Sequence, residues 1–470
     1  MNLLRRFVVI AATVCSLTAS VGFAASTVKT PNFEKVKLPN GATLLLMERH
    51  DVPLIAFTAV IRGGALTDPP DRLGTASLLA GLLEKGAGNR DANTFAETVA
   101  SVGGQIQTGT STESISVAGS FLARDQKLMV ELLADVLQRP RLAEEQFETL
   151  RGRSIEFIRA AKDSDRSTLT PIYGAASLFG THPYGRSVGG SEATLAAIKH
   201  ADVRQYYADN FGADRAIIAV AGDFKTAQLK SLLSRAFSNW HKAGQPLPSV
   251  PKQTEVTTRR VLLVDAPDAV QSYFWCGDVS VAKNDPRRAS LDIVNTLFGG
   301  RFTSMLNTEL RIRSGLSYGA NSRFDRMADG GSWELGSFTR TEKTIEAIDL
   351  AFATLDKLHA GSIDDAQLES AKSYVLGQYP LGLETASQWA YQLATLEFYG
   401  LDRSYIDDYG NQLAAVTLTD AKHVIDEVIP TSQQTVLVVI GKADAIRDGL
   451  RKYGPLTEVK LSDPEFRVQP

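Results

Sequence analysis

At 470 residues, with 44% hydrophobic side chains, the chain is too long for one ordinary compact domain and apolar enough to bury more than one core. Its 50 Lys and Arg are offset by 53 Asp and Glu, a net charge of −3. That balance excludes the basic footprint a nucleic-acid binder needs to neutralise phosphates.

Arg5 and Arg6 form a positive start, Phe7 to Val21 an apolar run, and Gly22-Phe23-Ala24 supplies small residues for cleavage. Residues 1–25 therefore read as a secretory signal, and the mature chain is expected outside the cytoplasm, in a periplasm or secreted. Cys15 falls in the discarded segment, which leaves Cys276 alone and excludes an internal disulfide or a thiolate cluster. No later stretch is long and apolar enough to span a bilayer, so no membrane partner is expected after signal removal.

Lys35 to Leu46 is a strand-turn-strand pattern broken at Pro39-Asn40-Gly41, and Pro53 to Arg62 a further strand. Arg72 to Lys85 reads as a buried helix, apolar nearly all round and stopped by Gly86 and Gly88. A helix over Thr94 to Val102, strands at Gln105 to Gln107 and Ser114 to Phe121, and helices over Asp125 to Leu137 and Ala143 to Ala161 follow. Ala201 to Asn210 is helical and Arg215 to Val220 is a buried strand. The proline-rich stretch after Gln245 reads as a linker.

Beyond it the order recurs: a strand at Arg260 to Val264, then helices near Arg287 to Leu297 and Ser304 to Arg313. Glu144 to Leu150 is echoed by Asp364 to Ser370, and Ala216 to Gly222 by Val436 to Gly441, both at an offset of about 220 residues. The pattern predicts an α+β protein made by duplication, each unit a layer of helices on a mostly antiparallel sheet. The expected boundaries are 26–244 for the first domain, 245–256 for the linker and 257–470 for the second.

Several motifs appear in a fixed order. They are Leu38-Pro39-Asn40-Gly41, Gly63-Gly64-Ala65-Leu66-Thr67-Asp68-Pro69, Val102-Gly103-Gly104, His182-Pro183-Tyr184-Gly185, and Gly189-Gly190-Ser191-Glu192. Together they resemble the pitrilysin/insulinase family of zinc peptidases over nearly the whole mature chain. Catalytic members carry His-x-x-Glu-His on the helix after a Gly-Thr-Ala step. Residues four apart share a helix face, so both imidazoles reach one zinc while the Glu activates water. Here Gly74-Thr75-Ala76 is followed by Ser77, Leu78, Leu79, Ala80 and Gly81. Ser77 and Gly81 take the histidine positions and Ala80 the general-base position, so no zinc site of the family type forms. The third ligand position falls at Glu156 or Phe157, the ungapped reading choosing Phe157. The six histidines, His50, His182, His200, His241, His359 and His423, contain no pair at helical spacing.

The second half keeps what the first has lost. Gly299-Gly300-Arg301-Phe302-Thr303-Ser304-Met305-Leu306 resembles the family's glycine loop, and Arg311 with Tyr318 its substrate-gripping Arg-Tyr pair. A phenol or guanidinium can hydrogen-bond substrate backbone or a developing oxyanion. The resemblance implies half of a clamshell: a subunit similar to the alpha subunit of mitochondrial processing peptidase, inactive alone. A homologous partner would bear the zinc, extended peptides would be the substrates, and Arg311 and Tyr318 would complete the site in trans. The alternative is a structural or chaperone-like core subunit without proteolysis.

Overall fold

The computed structural model describes residues 28–466; the expected signal, residues 1–25, lies outside them. The first half forms a six-stranded sheet from β1 (Glu34–Lys37), β2 (Thr43–Glu48), β3 (Leu54–Arg62), β4 (Gln105–Thr110), β5 (Ser114–Leu122) and β6 (Ala216–Gly222). The second half forms another from β7 (Arg260–Asp265), β8 (Gln271–Ser280), β9 (Ala320–Met327), β10 (Gly330–Arg340), β11 (Val436–Gly441) and β12 (Leu456–Lys460). Strand orders are β1-β2-β6-β3-β5-β4 and β12-β7-β11-β8-β10-β9.

Five strands repeat in order and direction: β2 runs parallel to β6 as β7 does to β11, and the remaining pairs among the five are antiparallel. The sixth position is filled differently. The hairpin strand β1 pairs antiparallel with β2, whereas β12 arrives from the C-terminal end and pairs parallel with β7. The duplicated α+β architecture expected from the sequence is thus present.

Central strands are buried on both faces, which is why they read as continuous apolar runs. Leu44, Leu46, Ile218 and Val220 pack with the helices of their own half, while alternate residues Leu45, Met47, Ile217 and Ala219 pack with Trp389, Ala390 and Leu393. Those last three lie on the helix Ala386–Tyr399 of the second half. The exchange is reciprocal. Leu169, Tyr173 and Leu178, on and beside the helix Thr170–Phe179, share a core with Leu262, Val264, Trp275, Val438 and Ile440 of the second sheet. Gly174 is required there, since a Cβ would lie 2.6 Å from the Trp275 ring. Each sheet is therefore closed by a helix from the other half.

A polar cluster around Glu113 reinforces the junction. The Glu113 carboxylate accepts from the hydroxyls of Tyr184 and Tyr399 and from the Ala328 N–H. Burial raises its pKa against these bonds. Segment 245–256 has no regular element, and its Val256 is buried with its N–H donating to Asp278.

The helix expected over Arg72 to Lys85 is shorter, Thr75–Leu83. The helices expected near Arg287 to Leu297 and Ser304 to Arg313 are Arg288–Asn295 and Met305–Asn307, each continuing into a wider π-turn, Thr296–Gly300 and Thr308–Arg313. Asn295 causes the first departure by bonding both the carbonyl and the hydroxyl of Ser322 on β9, which draws the glycine turn onto the sheet.

Candidate functional site

The helix that carries zinc ligands in the resembling family is intact as scaffold. Asp68 is buried and its carboxylate accepts from the N–H groups of Gly74 and Ala76, each at 2.8 Å, satisfying the first turn. Burial outweighs these bonds and pushes its pKa up to about 7. The ligand positions themselves have been filled in. Ala80 is buried and its carbonyl accepts from Thr108 Oγ1 at 2.7 Å, while Ser77 and Gly81 are half-buried. A Cβ on Gly81 would stand 3.4 Å from Leu150, in ordinary van der Waals contact.

Of the two candidates for the third ligand position, Phe157 is 67% exposed and Glu156 pairs with Arg159 at 2.7 Å. Ser77, Ala80, Gly81 and Phe157 provide no imidazole or carboxylate, so these residues do not fit a zinc ion. Among the described residues no group of three or more His, Cys, Asp or Glu stands where it could hold a metal. The histidines hold loops instead: ring nitrogens of His182, His200 and His359 bond the carbonyls of Pro251, Leu142 and Pro430. His50 bridges Glu48 and Asp223, and His423 pairs with Glu427.

In the second half a cavity of about 640 Å³ opens on the sheet face that meets the exchanged helix. Gly299, Gly300 and Arg311 line it together. Gly299 is fixed by close approach, since a Cβ would come 2.4 Å from the Ser322 N. The Arg311 guanidinium lies 4.8 Å over the Phe302 ring, a cation–π contact, and makes no ion pair among the described residues. Tyr318 is 79% exposed and stands outside the lining, beside Gly319, which is in it.

The cavity contains groups that sequence reasoning assigned no role. Arg301 donates to the Ser370 carbonyl and hydroxyl, yet its Nε is buried without a partner. On the floor, Glu334 accepts from Trp275 Nε1 and from Arg323 Nε, its cross-strand neighbour. Thr170 and Pro171 of the exchanged helix form one wall. Glu334 was visible as a lone acid between Trp333 and Leu335, and Arg301 as the residue after the glycine pair. The exchanged wall left no signal in the sequence.

A family model described as insulinase, peptidase family M16, matches residues 46–191, and a second, peptidase M16 inactive domain, matches residues 197–375. The chain belongs to the peptidase M16 family. Among its relatives is an uncharacterized zinc protease of Mycobacterium leprae, 26% identical, the match covering 84% of this chain and 89% of that protein. A non-peptidase homolog of Helicobacter pylori is 22% identical over 90% of this chain and 96% of its own length. Two solved structures share the fold. A peptidase M16 inactive domain from Pseudomonas fluorescens aligns with a TM-score of 0.81 at 20% identity, covering 87% of this chain and 98% of that one. A protease from Helicobacter pylori aligns with a TM-score of 0.80 at 21% identity, covering 87% and 99%. Within the M16 family this chain lacks the zinc-binding residues of the catalytic members.

Proposed function

We propose that this chain is the metal-free subunit of a heterodimeric zinc endopeptidase, exported behind residues 1–25. A homologous partner holds the zinc, and Arg311 and Tyr318 bind the substrate of that partner's site. One asymmetry carries the reading: the zinc positions are replaced by Ser77, Ala80, Gly81 and Phe157, while the Arg-Tyr pair persists, with Tyr318 exposed and Arg311 unpaired beside an open cavity. A guanidinium held only by an aromatic face keeps its N–H donors free for substrate backbone or an oxyanion. Extended peptides suit the geometry, because β4 and β9 are edge strands able to accept an added strand.

The test is peptide hydrolysis by this chain, by a zinc-motif homologue from the same genome, and by their equimolar mixture, each with and without chelator. Chelator-sensitive turnover gained only on mixing is the expected result. No gain over the homologue alone overturns the proposal in favour of a structural subunit.

A further inference from the structure

The cavity beside Arg311 is lined by three guanidiniums, Arg301, Arg311 and Arg323, and by one carboxylate, Glu334. Arg323 is neutralised by its bond to Glu334. Among the described residues Arg311 has only the Phe302 ring, and Arg301 only the neutral carbonyl and hydroxyl of Ser370. Two positive charges in one concave site thus have no counter-charge in its lining. Around these groups the walls are aromatic: Phe302, Tyr374, and the stacked pair Tyr273 and Phe338 with centroids 5.7 Å apart.

We infer that this cavity is a subsite for a peptide carboxylate, either a C-terminus or an Asp or Glu side chain, taken by Arg301 and Arg311. A planar carboxylate matches the fork of a guanidinium, and charge-assisted bonds of this kind are roughly twice as strong as neutral ones. The aromatic walls cover the apolar remainder of the peptide. The Arg323–Glu334 pair serves as the floor, its acid holding Trp275 in place and keeping the third guanidinium out of competition. This inference deepens the reading of Arg311 as a substrate group and extends it to Arg301, but it requires only this chain.

The experiment is fluorescence anisotropy of the full mature chain with short N-terminally labelled peptides. One has a free C-terminus and no acidic residue, one is its C-terminal amide, one an amide with an internal Glu, and one the matching Gln amide. Binding at least about tenfold tighter for the free acid than its amide supports the subsite with the terminus as ligand. The same preference for Glu over Gln supports it with a side chain as ligand. Equal binding of all four, or none, overturns it. Arg301→Gln is expected to weaken the preferred peptide about tenfold, with the loss mirrored by weaker salt dependence. Glu334→Gln leaves Trp275 an acceptor and frees Arg323, so it is expected to tighten binding severalfold; weakened binding would count against the assignment. Carboxylate-blind binding alongside mixing-dependent hydrolysis removes the subsite alone, and carboxylate-selective binding without mixing-dependent hydrolysis removes the trans-site reading alone.

Discussion

The two halves present equivalent grooves with opposite character. In the first half a groove of about 480 Å³ lies between the outer face of β3, β4 and β5 and the exchanged helix Ala386–Tyr399. It occupies the same place on its sheet as the cavity of the second half does between β8, β9 and β10 and the helix Thr170–Phe179. Phe57 pairs with Gly119 in one sheet and Phe274 with Ser337 in the other. Counting from those pairs, Ser116 and its partner Gly109 stand where Glu334 and Arg323 stand in the second half. The first groove is lined by Gln105, Gln107, Ser116 and Ser120 and has no charged residue in its lining, whereas the second has three arginines and an acid. Duplication preserved the backbone of the groove and let its electrostatics diverge. The helix that lost its ligands belongs to the half whose groove is neutral.

The largest effect expected is on the walls. Trp389→Ala, which strips the helix covering the first sheet, should cost about 3–5 kcal/mol in chemical denaturation. If the two walls are equivalent, Gly174→Ala, which pushes a Cβ into Trp275 under the second groove, should also destabilise, by about 1–3 kcal/mol. A large loss for one with none for the other would show that only one half depends on the exchange.

On the charged side, Arg311→Ala should lower the turnover of the mixture with its partner about 100- to 1000-fold while leaving the melting temperature of this chain unchanged. Replacing Gln107 of the neutral groove by Ala should leave that turnover near wild type, and an equal loss there would erase the contrast between the grooves.

A smaller effect belongs to the vestigial helix. The Asp68 pKa is raised to about 7 in the folded chain from the ordinary carboxylate range, so the folded state binds the extra proton between roughly pH 4 and 7. The stability this proton contributes is fully present below about pH 4, is lost as the pH rises to about 7, and no longer changes above it. Between pH 5 and 7.5 the wild type should lose about 2 kcal/mol that Asp68→Asn does not lose, measured by urea denaturation at both pH values. The smallest effect is at the former third-ligand position. Phe157→Ala should change stability by less than about 0.5 kcal/mol, since the ring packs on little, and a larger loss would mean the position has a partner surface in the folded chain.

Much of this was legible beforehand because it lives in residue identity and short periods. The missing imidazoles at Ser77 and Gly81 and the missing carboxylate at Ala80 need only a motif and its spacing. The repeat between Ala216 to Gly222 and Val436 to Gly441 needs only a self-comparison, and both segments became the parallel-paired strands β6 and β11. The regular helix expected near Arg287 to Leu297 instead widens into the π-turn Thr296–Gly300, because sequence period cannot register Asn295 pulling the glycine turn onto Ser322.

By itself, then, the sequence determined that the middles of strands such as β2 and β7 would be buried on both faces, since Leu44 to Met47 and Val261 to Val264 are unbroken apolar runs with charged residues only at the strand ends. It also determined that no family-type zinc ligand remains. Which helix covers each outer face was decided only by the tertiary structure, because an apolar face specifies a need for cover and not whose helix supplies it. The same holds for the carboxyl-binding cavity. Arg301 follows the glycine turn, Arg311 lies in the second π-turn, Arg323 on β9 and Glu334 on β10, and only the fold of β9 and β10 beneath the glycine turn brings their charges within one concave surface.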